Sequence, residues 1–177
     1  MKKEKVLASR VIFEGRILKL RVDTVRTADG QQSTREIVEH ADCIGVIPVD
    51  ADGNILMVRQ YRLAADKELL ETPAGGIDPG EEPAAAVIRE MREEIGLRPG
   101  KVERLAGFYL SPGFSSEYMH LYLATDLKPD PLSAEDTAGI EVVKVPVARI
   151  PDLLASGKIE DAKSIAGLLM YLERRKT

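Results

Sequence analysis

Three glutamates lie close together in the segment "REMREEIG", at positions Glu90, Glu93 and Glu94. This spacing puts them on one side of a helix, where like charges repel each other and weaken the helix. They also stand near its C-terminus, where the macrodipole is already negative. A hard divalent cation such as Mg²⁺ would offset the repulsion, because it binds oxygen ligands and completes its shell with water and substrate phosphates. The alternative is a solvated charged face on which Arg89 and Arg92 pair with the glutamates.

Three features of the surrounding sequence favour the cation. An apolar stripe runs along this helix, and Glu94 lies nearest its edge, so its carboxylate is expected to be half-buried, which is costly without a partner. Arg89 precedes Glu93 by four residues, the weaker order for a helical ion pair. The upstream loop "TPAGGIDPGEEP" contains glycines that let a backbone approach a ligand closely. The stripe comprises Ala84, Val87, Ile88, Met91 and Ile95.

Two hairpins precede this loop in our interpretation. In "RILKLRVDTVRTADGQQSTREIVEH", apolar and charged residues alternate and "ADG" supplies the turn. "CIGVIPVDADGNILMVRQYR" is interpreted as a second hairpin turning at "DADGN", with denser apolar runs that indicate buried strands. The helix with the glutamates then begins near Pro83 and ends before Gly96, because Pro favours the first turn of a helix and Gly the position past its end.

Further strands are expected at "VERLAGFYL", "YMHLYLAT" and "IEVVKVPV", and two helices at 149–156 and 161–174. This order of strands, helix, strands and helices predicts a mixed α/β (α+β) domain rather than a regular βαβ repeat. Cys43 lies in the apolar run "CIGVIPV" and is interpreted as a buried strand thiol rather than a nucleophile.

The segment before Cys43 has a long apolar face that an isolated hairpin could not stabilise in water. We therefore predict that residues 1–41 form an antiparallel β arm that packs against a second subunit of a homodimer. Residues 42–177 would form the main domain. The apolar face comprises Val11, Phe13, Ile17, Leu18 and Leu20.

Charge and hydropathy exclude several classes of partner. The net charge of −4 gives no electrostatic argument for nucleic acid or an anionic membrane. The longest apolar stretches are far shorter than a membrane span. The basic segment "MKKEKVLASR" is followed by no apolar signal-peptide core, so a cytoplasmic location is expected.

From Gly75 to Leu97 the sequence reads "GGIDPGEEPAAAVIREMREEIGL". It resembles the Nudix box, G-x5-E-x7-R-E-U-x-E-E-x-G-U with U apolar, at every fixed position. The resemblance implies hydrolysis of nucleoside diphosphates linked to another moiety, with Mg²⁺ or Mn²⁺, on a mixed β-sheet sandwiched between helices. The fixed positions are Gly75, Glu81, Arg89, Glu90, Glu93, Glu94 and Gly96, and Met91 and Leu97 fill the apolar positions.

The resemblance extends to the ADP-ribose pyrophosphatase subgroup. The peptides "TREIVEH", "VRQYR", "ELLETPAGG", "SPGFSSE" and "KIEDAKSIAGLL" occur in the order found there. The implied reaction converts ADP-ribose to AMP and ribose 5-phosphate. A pyrophosphatase for GDP-mannose or another nucleotide sugar is one alternative. A non-catalytic nucleotide-sugar-binding module is another, although such a module has no need for clustered repelling carboxylates.

The resemblance also implies roles for individual residues. Glu90, Glu93 and Glu94, with the backbone carbonyl of Ala74, would bind two or three metal ions. Arg89 would orient these carboxylates, while Gly75 and Gly76 would let the loop approach the metal. The implied substrate contacts are Arg35, Glu36, Arg62, Pro112, Gly113 and Glu117, with the first three at the adenine or diphosphate and Glu117 near the terminal ribose.

The general base is expected outside the metal cluster, because coordination lowers the basicity of a carboxylate. The resemblance implies a mobile loop before a late strand, here "PLSAEDTAGIEVV", which offers Glu135 and Asp136. We favour Glu135, whose longer side chain reaches further, with Asp136 second. Gly139 would permit closure of the loop over substrate. The other interpretation is a solvated acidic loop.

Overall fold

The computed structural model describes residues 3–134, 137 and 139–176. The chain divides into two compact units. One comprises Met1–Asp42 and Tyr109–Tyr118, and the other comprises Cys43–Phe108 and Met119–Thr177. The segment 109–118 thus belongs to the same unit as the N-terminal strands. The division into a dimerisation arm and a hydrolase domain stays a prediction.

The first unit is built on an antiparallel sheet with the strand order β1 (Lys5–Glu14), β2 (Leu18–Arg26) and β3 (Gln32–His40). The predicted β2–β3 hairpin is present, in continuous register from Leu18 opposite His40 to Arg26 opposite Gln32. Gly30 closes its turn with a φ of 92°, a conformation that residues with a Cβ rarely adopt.

All ten residues of β1 are exposed. The predicted apolar face is exposed at Val11, Phe13, Ile17 and Leu18, by 38% to 65%. The prediction was wrong at Leu20, which is half-buried. The reason is that β2 is the central strand of the sheet, so Leu20 lies between Phe13 of β1 and Val38 of β3.

Among its described residues, the second unit contains seven further strands: β4 (Cys43–Pro48), β5 (Asn54–Arg62), β6 (Lys67–Glu71), β7 (Ala74–Gly76), β8 (Leu97–Tyr109), β9 (Tyr118–Pro129) and β10 (Glu141–Pro146). They form two sheets, one with the order β10-β5-β6 and the other with the order β7-β4-β9-β8. Tyr109 of β8 and Tyr118 of β9 belong to the first unit. The predicted strands at 102–110, 118–125 and 140–147 are therefore confirmed as β8, β9 and β10.

The expected second hairpin was wrong. β4 and β5 follow each other through the predicted turn, where Gly53 has a φ of 80°, but they lie in different sheets. The turn between them carries an isolated bridge from Val49, the residue after β4, to Ile55 of β5. The reason is that both edges of β4 are occupied, by β9 in parallel and by β7 antiparallel. β7 itself lies within the segment that the sequence indicated to be a loop.

The described part of the second unit contains three α-helices: α1 (Pro83–Glu94), α2 (Ile150–Ala155) and α3 (Ala162–Arg174). Their predicted positions are confirmed. Pro83 begins α1, and Gly96, past its end, has a φ of 72°. The predicted apolar stripe was wrong at Ala84, which is exposed, because the buried face of α1 turns toward Ala86 instead.

The sheet that contains β4 lies between α1 and α3. Ile44 and Val46 pack in one buried cluster with Met91 of α1, whereas Ile47 packs in a second cluster with Leu168 of α3. This alternation is the period of two expected for a strand buried on both faces. Each such fully buried side chain contributes roughly 1.5–3 kcal/mol. The predicted mixed sheet between helices is confirmed.

Cys43 is a buried residue of β4, as expected. Among the helices of the described residues, none is long and apolar enough to cross a membrane.

Candidate active site

Strand β7 brings its backbone against the side chain of Glu90. It pairs with β4 so that Ala74 lies opposite Gly45, and Gly75 opposite Ile44. A Cβ added at Gly75 would lie 2.0 Å from both Cδ and Oε1 of Glu90. Only glycine therefore fits at position 75 while the carboxylate keeps its place.

Glu94 is fixed from the same strand. The backbone N–H of Ala74 donates a hydrogen bond of 3.1 Å to Oε2 of Glu94. Ala74 and Glu94, predicted to share a metal, are thus neighbours in the structure.

Arg89 is the cation at the centre of the cluster. Its Nε and Nη2 donate to the two carboxylate oxygens of Glu81 at 3.0 and 2.8 Å. Nη1 donates to Glu90 at 2.6 Å and to Glu93 at 3.2 Å, and Nη2 also donates to the carbonyl of Gly76 at 2.8 Å. Arg89 and Glu93 do pair, although their order is the weaker one for a helical ion pair, because the other bonds of the guanidinium already hold it against the helix.

This one arginine does not compensate the negative charge of the half-buried carboxylates. Burial first, and then the charge of Glu90, raise the pKa of Glu94 to about 8. Burial also raises the pKa of Glu90, despite the hydrogen bond from Arg89. By contrast, the hydrogen bond from Arg89 lowers the pKa of Glu81. Arg89 therefore neutralises mainly the charge of Glu81, and the charges of Glu90 and Glu94 are not fully neutralised.

The donor set fits a hard divalent cation. The side chains of Glu90 and Glu93 are only 12% and 16% exposed, so water shields their charges poorly. Carboxylate oxygens are the ligands that Mg²⁺ and related ions prefer, and a bound cation would favour the ionised carboxylates that burial disfavours.

A cleft of about 360 Å³ opens over the cluster. Arg62 lines it together with the glutamates, as do Ala134 and Thr137. The predicted bases Glu135 and Asp136 lie outside the described residues. The full lining is Gln60, Arg62, Ala74, Arg89, Glu90, Glu93, Glu94, Ala134, Thr137 and Ile140.

A larger cavity of about 970 Å³ lies elsewhere in the second unit. Its lining includes Asp50, Asp52 and Lys144, but Lys144 pairs with Asp50 at 2.7 Å and with Asp52 at 3.7 Å. Both aspartates already have Lys144 as a partner, so the chemistry favours the smaller cleft as the active site despite its size.

The remaining predicted substrate residues lie in the first unit. Arg35 on β3 donates two hydrogen bonds to Glu4, at 3.1 and 2.5 Å, and Glu36 beside it is exposed. Pro112 and Gly113 form a tight turn that is closed by hydrogen bonds from the N–H groups of Phe114 and Ser115 to the carbonyl of Ser111, at 3.1 and 2.8 Å.

Glu117 follows that turn and is half-buried. Its N–H donates to Oγ of Ser115 at 3.2 Å. The same segment is joined to β3, because the N–H of Val38 donates to the carbonyl of Phe114 at 2.7 Å. Within the first unit, the structure therefore brings the segment of Glu117 beside the strand that carries Arg35 and Glu36.

Sequence reasoning gave no role to Glu81, Glu71 or Lys163. Glu81 occupies a fixed position of the box, and that position was the available signal. Lys163 shares one face of α3 with Gly167 and Tyr171, both of which are buried. A lysine within a buried helix face was the signal that a partner should be sought.

Helices on both sides of a mixed sheet, together with three carboxylates on α1 beside β7, are the arrangement of an enzyme site for divalent metal ions. Residues 39–168 match the NUDIX domain model, and residues 4–38 match the model of the nucleoside diphosphate sugar hydrolase N-terminal domain. The chain belongs to the NUDIX family, which confirms the family and enzyme class expected from the sequence.

Several characterised proteins are similar over nearly the whole chain. The ADP-ribose pyrophosphatase of Bacillus subtilis (strain 168) is 34% identical over 98% of this chain and 94% of its own. The methanol dehydrogenase activator of Bacillus methanolicus is 34% identical over 96% and 92%. The ADP-ribose pyrophosphatase of Mycobacterium tuberculosis (strain ATCC 25618 / H37Rv) is 37% identical over 92% and 80%.

The fold also has a solved counterpart. A crystal structure of an ADP compounds hydrolase superposes with a TM-score of 0.91, covering 99% of this chain and 96% of that chain. The sequence identity is 23%, so this likeness supports the fold alone.

Proposed function

We propose that this protein hydrolyses the diphosphate of ADP-ribose to AMP and ribose 5-phosphate, with Mg²⁺ as its metal and Mn²⁺ able to replace it. The observation that carries the proposal is the partly buried cluster of Glu90, Glu93 and Glu94 beside Gly75. The names of two relatives support the choice of ADP-ribose. The match of the N-terminal residues to a nucleoside diphosphate sugar hydrolase domain supports a sugar-linked diphosphate.

The three box glutamates and the backbone carbonyl of Ala74 would hold two or three ions. Such ions neutralise a diphosphate and lower the pKa of a bound water. Arg89 would keep Glu90 and Glu93 facing the cleft, because its Nη1 donates to both. It is a positioning residue in this account, anchored by Glu81.

Arg62 would contact the diphosphate, since it lines the cleft with the glutamates. Arg35 and Glu36 would contact the adenine or the diphosphate, and Glu117 the terminal ribose. Arg35 pairs with Glu4 in the free protein, so a bound substrate would have to replace Glu4 as the partner of Arg35. Pro112 and Gly113 would shape the turn that precedes Glu117.

The general base would be Glu135, with Asp136 as the second candidate. The supporting observation is that Ala134 and Thr137, which flank them in the chain, line the same cleft as the glutamates. A carboxylate that does not bind metal keeps the basicity needed to accept a proton from water.

The protein would act as a cytoplasmic homodimer. The exposed apolar side chains of β1, among them Phe13 at 57%, support a second copy as the partner, because an exposed apolar edge strand is a surface on which another chain can pack. In similar enzymes such an arm helps to build the substrate pocket.

The substrate is tested by measuring mononucleotide release from ADP-ribose, GDP-mannose, NADH and diadenosine polyphosphates in the presence of Mg²⁺. The highest kcat/KM is expected for ADP-ribose, with no release in excess chelator. A higher kcat/KM for GDP-mannose would identify GDP-mannose as the preferred substrate and would leave the metal-dependent mechanism unchanged. Tight binding without turnover of any compound would indicate a binding module.

A further inference from the structure

A second group of charged side chains is buried beside the cleft. Glu71 at the end of β6 is 1% exposed, and Lys163 in the first turn of α3 is 7% exposed. Ionised side chains are almost never buried this deeply unless they are paired. The proposed chemistry so far assigns neither residue a role.

Glu71 holds the guanidinium of Arg62 by two parallel hydrogen bonds. Nε of Arg62 donates to Oε1 at 2.7 Å, and Nη2 donates to Oε2 at 2.8 Å. This fork geometry fixes the plane and direction of a guanidinium, which a single contact would not do.

Lys163 in turn fixes Glu71. Its Nζ donates to Oε2 of Glu71 at 2.5 Å and lies 2.9 Å from Oδ2 of Asp161. Burial alone would raise the pKa of Glu71, but the hydrogen bond from Arg62 and the charge of Lys163 outweigh it and keep that pKa low. Glu71 therefore stays ionised and remains a strong acceptor.

The start of α3 is locked to the same strand. Asp161 caps α3 by accepting from the N–H and Oγ of Ser164, at 3.0 and 2.5 Å. Oγ of Ser164 accepts in turn from the N–H of Thr72, the residue after Glu71, at 2.7 Å. The group is thus a closed network that leaves Glu71 little freedom to rotate.

The network leaves one edge of Arg62 available. Its Nε and Nη2 are used by Glu71, whereas Nη1 has no hydrogen-bond partner among residues 3–134, 137 and 139–176. The side chain of Arg62 is 42% exposed and lines the cleft of Glu90, Glu93 and Glu94. A donor held in this way suits an oxygen of a bound diphosphate.

We propose that Glu71 and Lys163 are positioning residues that fix the guanidinium of Arg62 at the metal cleft, so that Nη1 meets a diphosphate oxygen. This inference rests on the proposed function. In this proposal Lys163 does not contact the substrate. It affects substrate binding through Glu71, which in turn holds Arg62. Pre-organisation of this kind reduces the ordering cost of binding and of reaching the transition state.

The test is a double-mutant cycle on kcat and KM for ADP-ribose with Mg²⁺, using Arg62→Ala, Glu71→Gln and the double variant. If Glu71 acts through Arg62, each single variant lowers kcat/KM by about 10- to 100-fold, and the double variant is no worse than Arg62→Ala. Losses that multiply in the double variant would overturn the proposal.

Lys163→Met covers the case in which Glu71→Gln fails to fold, because Glu71 then keeps Arg62 as its partner. It is expected to raise KM several-fold, and Lys163→Arg to restore part of the loss. The matched control is Lys67→Met, since Lys67 pairs with Glu160 at 2.6 Å and joins the same two segments without touching Glu71. A lower melting temperature in Lys163→Met with unchanged KM would show a structural role only and contradict the proposal.

Binding of Mg²⁺-imidodiphosphate to the same variants separates the two proposals. If the wild-type protein fails to hydrolyse ADP-ribose, the proposed function falls, but weaker binding of imidodiphosphate in the Glu71 and Lys163 variants would still support positioning of Arg62. Equal binding by all variants would overturn the positioning role, whatever the substrate.

Discussion

Gly75 stands so close to Glu90 that a methyl group at position 75 would overlap the carboxylate, at 2.0 Å from its Cδ. Within the described part of the chain, a Cβ at the next residue, Gly76, would meet no heavy atom within 4 Å. The two glycines are therefore not equivalent, although the sequence suggested the same role for both. Close approach of the backbone to the carboxylate cluster is a requirement at Gly75 alone.

Gly75→Ala is expected to lower kcat/KM for ADP-ribose at least 100-fold, because either Glu90 or β7 must move to admit the new methyl group. Gly76→Ala is the matched control and should stay within about threefold of the wild-type protein. Steady-state kinetics with Mg²⁺, with circular dichroism to check folding, makes the comparison. Equal losses in the two variants would contradict the geometry described here.

The metal-free protein should become less stable as pH rises. The folded-state pKa of Glu94 is raised to about 8 from an ordinary value of 4.5, by burial and by Glu90. Between these pH values the folded protein keeps a proton that the unfolded chain has released, so the free energy of unfolding falls as pH rises. Each pKa unit corresponds to about 1.4 kcal/mol, which gives a loss of a few kcal/mol between pH 5 and pH 8.

Urea unfolding in EDTA at pH 5 and pH 8 measures this loss. Glu94→Gln has no such proton to release, so its free energy of unfolding should fall less and should exceed that of the wild-type protein at pH 8. Mg²⁺ should stabilise the wild-type protein more strongly at pH 8 than at pH 5. If the free energy of unfolding of the wild-type protein does not fall between pH 5 and pH 8, burial does not raise the pKa of Glu94 in the folded protein.

Helix α1 and its carboxylates were predictable because their signals are local. Pro83 and Gly96 mark the ends of the helix, and the spacing of Glu90, Glu93 and Glu94 fixes the face they share. The other signals for a cation site, the apolar stripe and the glycines of the preceding loop, lie in the same continuous stretch of sequence.

Pairing between distant segments was not predictable in the same way. The turn that contains Gly53 is compatible with a hairpin, and only the occupation of both edges of β4 by β7 and β9 excludes it. Glu71 and Lys163 are 92 residues apart, so no local pattern joins them. The lysine on the buried face of α3 indicates that a partner exists, but the fold decides which residue it is.

The base is tested by Glu135→Gln and Asp136→Asn. Loss of a general base typically lowers turnover about 10²–10⁴-fold, and we expect this range for Glu135→Gln with little change in KM or in Mg²⁺ affinity. Asp136→Asn tests the second candidate and should have a smaller effect. Near-normal kcat in both variants would assign the base elsewhere, with Glu90 or Glu93 as the next residues to substitute.

The assembly is tested on β1. Phe13→Glu puts a charge into the exposed apolar face and should convert the expected dimer to a monomer, as measured by light scattering at micromolar concentration. Gln32→Glu is the control, because Gln32 is an exposed polar residue of β3 in the same sheet. If the wild-type protein is monomeric and fully active, the proposed role of residues 1–41 in dimerisation is wrong.

The central claim is that the partly buried box glutamates hold the metal ions that drive hydrolysis. It is tested most directly by Mg²⁺-dependent release of AMP from ADP-ribose in Glu94→Gln beside Glu82→Gln. Glu82 lies in the same box but is exposed, and its side chain makes no capping hydrogen bond to the described residues of α1. The account predicts a loss of kcat by at least 10²-fold in Glu94→Gln and near wild-type kcat in Glu82→Gln. Full turnover in Glu94→Gln, or in wild-type protein with excess chelator, would contradict it.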